Sequence, residues 1–272
     1  MPFCINGLIL REMPAGESDK YLTILTAERG KMFVTAKGVR SFKNHYMSAA
    51  QLMCYNEFTI HESKGRYWMR EAAVIEPFYA VREDLSRFAL AQYALDVAGA
   101  VCMEGVEEGK MLRLLLNTLY LLSVERYPEA QVKAVFELSC MAANGLMPQL
   151  SGCADCAKTD ASLYWLDLPG GVLYCPDCLR KMEAADAAGR VDADGYGTVA
   201  TTRILRAVSP EVRAAMRYVE TAKPERAFAF SLEADALQSF CSVCEGYLQH
   251  QLERSFQTLD FYHGIKKEDH KA

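Results

Sequence analysis

The chain has 272 residues, of which 51% are hydrophobic and 24% are charged, and this composition excludes a disordered or fibrous protein. The formal net charge of −5 argues against a protein that binds nucleic acid over its whole surface. Residues 1–80, however, carry ten Lys and Arg against eight Asp and Glu, so an anionic partner is expected to bind this first part of the chain.

The apolar stretches predict neither a membrane protein nor a secreted one. The Leu-rich run at 111–122 contains Arg113 and Asn117 and is too short to span a bilayer. The N-terminal sequence MPFCINGLIL lacks the basic region of a secretory signal. Ten cysteines without such a signal indicate reduced thiols and metal ligands rather than disulfides. We therefore expect a cytoplasmic protein that makes no membrane contact.

Residues 5–75 contain short β-rich runs that are separated by glycine, charged residues and polar turns. Five strands are predicted at 5–10, 21–26, 31–35, 51–61 and 67–74. Gly30 can supply the positive φ that a tight hairpin between the second and third strands requires. Because a sheet this small protects its edges by closing, we expect an OB-type β-barrel over residues 1–80.

After Pro77 the apolar residues recur about every 3.6 positions, which predicts an α-helical domain over residues 81–272. Helices are predicted at 88–102, 112–122, 128–144, 210–222 and 231–248. The predicted fold class is a multi-domain α+β protein, in which a five-stranded OB-type barrel precedes a helical domain. A four-cysteine module at 150–180 is inserted in that helical domain.

Two C-x₂-C motifs carry the strongest chemical signal in the chain. Cys153 and Cys156 form the first pair, and Cys175 and Cys178 form the second pair after a gap of eighteen residues. This spacing is typical of a four-cysteine zinc site, and the segment between the pairs predicts a hairpin that brings them together. Four thiolates leave no open position on the metal, so the Zn²⁺ is expected to be structural. Reduced buried thiols or a redox pair are the alternatives.

The remaining motifs do not predict catalysis. Cys241-Ser-Val-Cys244 lies inside a predicted helix, where packing residues are favoured over a second metal site. The run at 105–110 is one residue short of a phosphate-binding loop and follows a helix instead of a strand. A zinc deaminase needs an H-x-E element, but His61 and Glu62 are adjacent. We therefore predict that the chain is not an enzyme.

Cations and aromatic residues are interleaved in the predicted barrel. Five cations are candidate nucleic-acid contacts: Lys37, Arg40, Lys43, Arg66 and Arg70. Barrels of this kind bind single strands by stacking bases on aromatic side chains along a cationic groove. Tyr67 and Trp68 are neighbours on one strand, so one of the two must face inward. Solvated charges and core aromatics are the alternative interpretation.

Four N-terminal motifs occur in a fixed order, namely Gly7-Leu-Ile-Leu-Arg11, Gly16-Glu-Ser-Asp-Lys-Tyr-Leu-Thr-Ile-Leu-Thr26, Arg29-Gly-Lys31 and Ala36-Lys-Gly-Val-Arg40. Together with the helical continuation and the cysteine module, they resemble the zinc-bearing members of the bacterial recombination mediator RecO family. The resemblance spans nearly the whole chain. It implies an OB barrel, a helical domain and one structural Zn²⁺, and it places the family's basic barrel surface on the five candidate cations.

The resemblance also implies a role in recombinational DNA repair. Such proteins bind single- and double-stranded DNA, anneal complementary strands and contact the single-strand-binding protein. They act with RecR to load RecA, which would place this chain at the nucleoid.

Two alternatives come from other functional classes. One is a zinc-containing protein-protein adaptor without direct DNA binding, which a lack of affinity for oligonucleotides at low salt would favour. The other is an enzyme with an unrecognised site, which reproducible turnover by the purified protein would support.

Overall fold

The computed structural model describes residues 2–187 and 203–269, and the chain divides into two compact units. The first unit runs to Glu129 and also includes the residues from Phe256 onward, whereas the second unit is Ala130–Ser255. Within the described ranges, no helix is both long enough and apolar enough to cross a bilayer. The predicted domain boundary near residue 80 stays a prediction.

Five strands build the barrel of the first unit: β1 (Pro2–Ala15), β2 (Asp19–Thr26), β3 (Gly30–Ala36), β4 (Tyr55–Ser63) and β5 (Arg66–Glu76). They are hydrogen-bonded in the order β1-β2-β3-β5-β4, and β4 also pairs with β1, so the barrel is closed. The β3–β5 pair is parallel, and the other barrel pairs are antiparallel. The predicted five-stranded barrel is confirmed.

The loop at 37–54 connects β3 to β4 and packs onto the barrel. Its Val39, Ala50 and Cys54 side chains are part of the barrel core. The fourth strand was predicted to begin at residue 51, but it begins at Tyr55. Met53 has a positive φ of 65°, which interrupts the extended backbone. The apolar residues before Tyr55 are therefore buried by loop packing and not by strand alternation.

The described residues form eight helices: α1 (Tyr79–Arg82), α2 (Leu85–Val101), α3 (Gly109–Val124), α4 (Glu129–Ala143), α5 (Pro176–Ala187), α6 (Pro210–Thr221), α7 (Ala234–Gln251) and α8 (Gln257–Asp269). In the first unit, α2 packs on β1, α3 and α8, and α3 packs on β2. Leu8, Leu10 and Leu25 lie outside the barrel core but are buried, as expected under this helical layer. The outer wall at β3 and β5 keeps exposed side chains.

The second unit combines helices with one small sheet. Its strands are β6 (Gln149–Cys153), β7 (Tyr164–Asp167), β8 (Val172–Tyr174) and β9 (Leu205–Val208), and their order in the sheet is β6-β8-β7-β9. The β7–β8 pair is the hairpin that the segment between the two cysteine pairs predicted. A helical region with an inserted cysteine module is confirmed, whereas β9 was not predicted.

Gly30 is fixed by the loop that joins α2 to α3. Its φ of 59° confirms the predicted positive φ at this turn. A Cβ atom at Gly30 would lie 2.2 Å from the carbonyl oxygen of Met103 and 2.5 Å from that of Val106. The backbone N–H of Lys31 donates to the same Met103 carbonyl at 2.9 Å. The hairpin and the loop therefore touch where only glycine fits.

Gly30→Ala should lower the free energy of unfolding by about 3 kcal/mol or more, because it adds a steric clash to backbone strain. Gly65→Ala is the matched control, since Gly65 has a φ of 71° but no atom within 4 Å of the added Cβ. The control should lose only about 1 kcal/mol. Denaturant unfolding measures both values, and equal losses would contradict the clash.

Candidate metal centre and nucleic-acid interface

The four predicted zinc ligands lie together in the second unit. The sulfur atoms of Cys153, Cys156, Cys175 and Cys178 all lie within 4.8 Å of one another. Those of Cys156 and Cys175 are 3.7 Å apart. A tetrahedral zinc with Zn–S bonds of about 2.3 Å places its sulfurs about 3.8 Å apart. The cluster therefore has the dimensions and the donor set of a four-thiolate metal site.

Neighbouring strand ends and one helix bring the cysteines together. Cys153 ends β6 and is the register partner of Leu173 on the parallel strand β8. Cys175 follows β8 directly, and Cys178 lies in the first turn of α5. Cys156 lies in the turn after β6. The first pair thus spans the end of β6 and a tight turn, and the second pair runs from the end of β8 into the first turn of α5.

Glycine is required near the end of β6, just before the turn that carries Cys156. The backbone N–H of Cys153 donates to the Lys158 carbonyl at 2.9 Å, which closes the turn. A Cβ atom at Gly152 would lie 2.7 Å from that same carbonyl oxygen. Any larger residue would open the turn and separate Cys153 from Cys156.

The surroundings of the cluster lower the pKa of one of its thiols. Burial raises the pKa of Cys153, but the backbone N–H groups of Cys156, Cys175 and Asp155 outweigh it and lower that pKa to about 6. The Asp155 side chain and the neighbouring thiols raise the pKa of Cys178. A metal ion that binds all four sulfurs must therefore displace protons, and its affinity should fall as the pH falls.

Arg213 of α6 fastens the cysteine module to the rest of the second unit. Its side chain is only 9% exposed. Nε donates to the Leu150 carbonyl at 2.8 Å, Nη1 donates to the Thr159 carbonyl at 2.6 Å, and Nη2 donates to the Ser151 carbonyl. The guanidinium therefore holds strand β6 and the loop after Cys156 at the same time.

Arg213 was missed from the sequence, because it follows the module by more than thirty residues. A signal was present in the pattern of α6. Arg213 stands three positions before the buried Met216, and residues three apart share one face of a helix, so Arg213 lies on the apolar face. An arginine on an apolar helix face usually has buried acceptors.

Cys241 and Cys244 belong to the packing of α7. Cys244 is buried, and the Cys241 sulfur donates to the Ala130 carbonyl at 3.2 Å. Burial raises the pKa of Cys241 to about 12. Across 2–187 and 203–269, neither cysteine joins a group of metal-ligating side chains.

Arg213→Lys should lower the free energy of unfolding by about 2 to 4 kcal/mol, because an ammonium cannot serve three carbonyls in the plane of a guanidinium. Arg217→Lys is the control, since Arg217 is exposed one turn later on the same helix. The control should change stability by less than about 0.5 kcal/mol. Equal effects in a thermal or denaturant melt would contradict the fastening role.

The candidate nucleic-acid contacts are all exposed residues of the first unit: Lys37, Arg40, Lys43, Arg66 and Arg70. Their contact with nucleic acid stays a prediction. The side chain of Met69 on β5 is buried. Arg66, Trp68 and Arg70 lie an odd number of positions from Met69, so these three side chains face outward. The ammonium of Lys37 lies 4.6 Å from the centre of the Trp68 ring. The 37–54 loop and β5 therefore share one surface.

Aromatic side chains extend this surface across three strands. Tyr67 packs against the barrel core, so Trp68 is the ring that faces outward. Thr35 is the register partner of both Tyr21 on β2 and Trp68 on β5. Tyr21 is 57% exposed, and Phe33, two positions before Thr35, is 55% exposed. This outer wall therefore carries three outward-facing aromatic rings.

Tyr21 and Phe33 were not among the residues singled out from the sequence. The signal was their alternation with buried neighbours, since Leu22 follows Tyr21 and Met32 precedes Phe33. The cations of the 37–54 loop were the stronger signal in the sequence.

Two of the N-terminal motifs bind each other. The N–H of Gly38 donates to Asp19 Oδ1 at 2.8 Å. The N–H of Arg40 donates to the Ser18 carbonyl at 2.9 Å, and Arg40 Nη1 donates to the Gly16 carbonyl at 2.9 Å. We call these three bonds the loop lock. The turn between β1 and β2 thus fixes the start of the 37–54 loop, which we call the cationic loop. Arg40 supplies two of the three bonds.

The chain matches the models and the members of one protein family over most of its length. Residues 1–78 match the family described as "Recombination protein O N terminal", and residues 82–188 match "Recombination protein O C terminal". The chain is 30% identical over 257 residues to the "DNA repair protein RecO" of Acetivibrio thermocellus, covering 94% of each chain. It is 24% identical over 261 residues to that of Caldicellulosiruptor bescii, covering 96% of this chain and 98% of the relative.

Proposed function

This chain belongs to the recombination protein O family, and we propose that it serves DNA repair as a non-catalytic mediator that binds DNA on its barrel. Membership makes it a DNA repair protein of this family. The DNA site is proposed on the outer wall at β2, β3 and β5 together with the cationic loop. Binding DNA would bring the protein to the nucleoid.

The observation that supports this site most directly is the shared surface of cations and outward-facing rings. Trp68 lies between Arg66 and Arg70 on β5 and beneath the ammonium of Lys37. Cations attract the phosphates, and exposed rings offer faces on which bases stack. No Asp or Glu occurs between Glu28 and Glu57 in the sequence. The loop is therefore locally basic although the chain as a whole is acidic.

The cysteine cluster is proposed to hold one structural Zn²⁺. Cys153, Cys156, Cys175 and Cys178 are four sulfur donors with the right separation, and zinc prefers such a set. The ion would cross-link β6, the turn after it and the first turn of α5. With four protein ligands it would have no open position for a reacting water.

The wider activity rests on membership of the family. We propose that the chain binds single- and double-stranded DNA and anneals complementary strands. We also propose that it contacts the single-strand-binding protein and acts with RecR to load RecA. No catalytic residue is proposed, because these activities need binding and positioning rather than bond chemistry.

Replacing the exposed cations Lys43, Arg66 and Arg70 by Gln should weaken DNA binding and flatten its salt dependence. Each phosphate contact on a single strand contributes about 0.7 to the slope of log affinity against log salt, so three lost contacts should reduce it by about 2. Oligonucleotide affinity across a salt series measures both effects.

The matched control replaces Lys110, Lys181 and Lys223 by Gln, which removes the same charge from exposed residues that are not part of the barrel. Both variants should melt like the wild type. Equal affinity and slope in the two variants would show that only net charge matters and would reject the barrel site.

Purified protein should contain about one zinc per chain, and Cys153→Ser or Cys175→Ser should lose it. Cys244→Ala should keep it, since Cys244 is a packing residue of α7. Metal analysis measures the content. The zinc affinity, measured by competition with a chelator and corrected for the chelator's own pH dependence, should be weaker at about pH 6 than at about pH 8, because protons compete for the thiolates. Carefully handled protein without zinc, or zinc retained by Cys153→Ser, would contradict this assignment.

A further inference from the structure

Phe42 stands apart from every other large apolar side chain in the described part of the chain. It is 94% exposed, whereas the next most exposed is Met103 at 65%. Single apolar residues at a surface are ordinary, but they usually rest part of their area on neighbours. Phe42 places nearly its whole ring in water, on the loop that carries the proposed DNA contacts.

The loop that presents Phe42 is held on both sides of the ring. Before it, Val39 is buried in the barrel core and the backbone of Arg40 is held by the loop lock. After it, the N–H of Asn44 donates to the Ser41 carbonyl at 2.9 Å. Asn44 Oδ1 in turn accepts from the backbone N–H of Tyr46 at 2.8 Å. The exposed ring is therefore set at a defined position and does not belong to a loose tail.

The chemistry around the ring selects one kind of ligand. Arg40 and Lys43 flank Phe42 within two positions, and the acid-free stretch between Glu28 and Glu57 surrounds it. A ligand that combines negative charge with flat apolar faces satisfies both features. Nucleic acid has both, and its base faces are open only where bases are unpaired. An acidic protein surface would match the charges, but it does not carry a flat ring beside every negative charge, as a single-stranded nucleic acid does.

We propose that Phe42 stacks on an unpaired base of the bound DNA and thereby favours single strands over continuous duplex. This inference rests on the DNA binding proposed above and adds to it a residue whose contribution is not electrostatic. Because stacking releases no counterions, loss of the ring lowers affinity equally at every salt concentration. Loss of a cation from the same loop, by contrast, also flattens the slope of log affinity against log salt.

Three variants separate a ring from apolar volume: Phe42→Ala removes the side chain, Phe42→Leu keeps apolar volume, and Phe42→Tyr keeps the ring. Affinity is measured across a salt series for a single-stranded oligothymidine and for a relaxed closed-circular duplex, which has no ends. Phe42→Ala and Phe42→Leu should bind the single strand about tenfold more weakly with an unchanged slope. Phe42→Tyr should remain within about twofold of the wild type, and the circle should bind all variants alike.

Thermal melting should be the same for all variants, because the ring makes almost no contact within the protein. Wild-type affinity of Phe42→Ala for the single strand would overturn the proposal and favour an acidic protein as the partner of this loop. Full binding by Phe42→Leu, or an equal loss on the circle, would also overturn it. If the wild type bound no oligonucleotide, DNA binding itself would fail, which is distinct from binding that does not depend on Phe42.

Discussion

The pairing of β1 with both β2 and β4 closes the barrel, and the surface of the first unit depends on that closure. A closed wall commits alternate residues of each strand to the core or to the outside. Helices α2 and α3 pack on the wall at β1 and β2. The exposed remainder carries Tyr21, Phe33 and Trp68, so the shape of the candidate interface follows from which part of the wall is left uncovered.

The loop lock gives a physical reason for the order of the N-terminal motifs. Asp19 receives the N–H of Gly38, and Arg40 reaches back to Gly16. The two motifs are thus halves of one hydrogen-bonded arrangement, which holds the loop that carries Phe42. Ordering a loop before it binds reduces the entropy lost on binding. A basic loop on a fixed frame can therefore bind DNA without a basic protein around it.

The sheet of the second unit has only short strands, so its stability depends on groups that cross-link it. The β6–β9 sheet holds the cysteines at neighbouring strand ends, and Arg213 ties the module to α6 through backbone carbonyls. A zinc ion on the four thiolates would add the cross-link that so small a sheet lacks. Arginine and metal would then both hold β6 and the segment that follows it.

The sequence by itself determined the five barrel strands, the main helices and the cysteine module, because period, turn residues and ligand spacing are local properties. It could not locate α8, which packs on α2 although it lies at the far end of the chain. It could not locate β9 either, because four residues are too few to show a period. Only the tertiary structure decided that Trp68 faces outward and Tyr67 inward, and that Arg40 is part of the loop lock. It also decided that Arg213 binds the carbonyls on both sides of the cysteine turn. Each of these depends on partners distant in sequence, and burial against such partners overrides local preference.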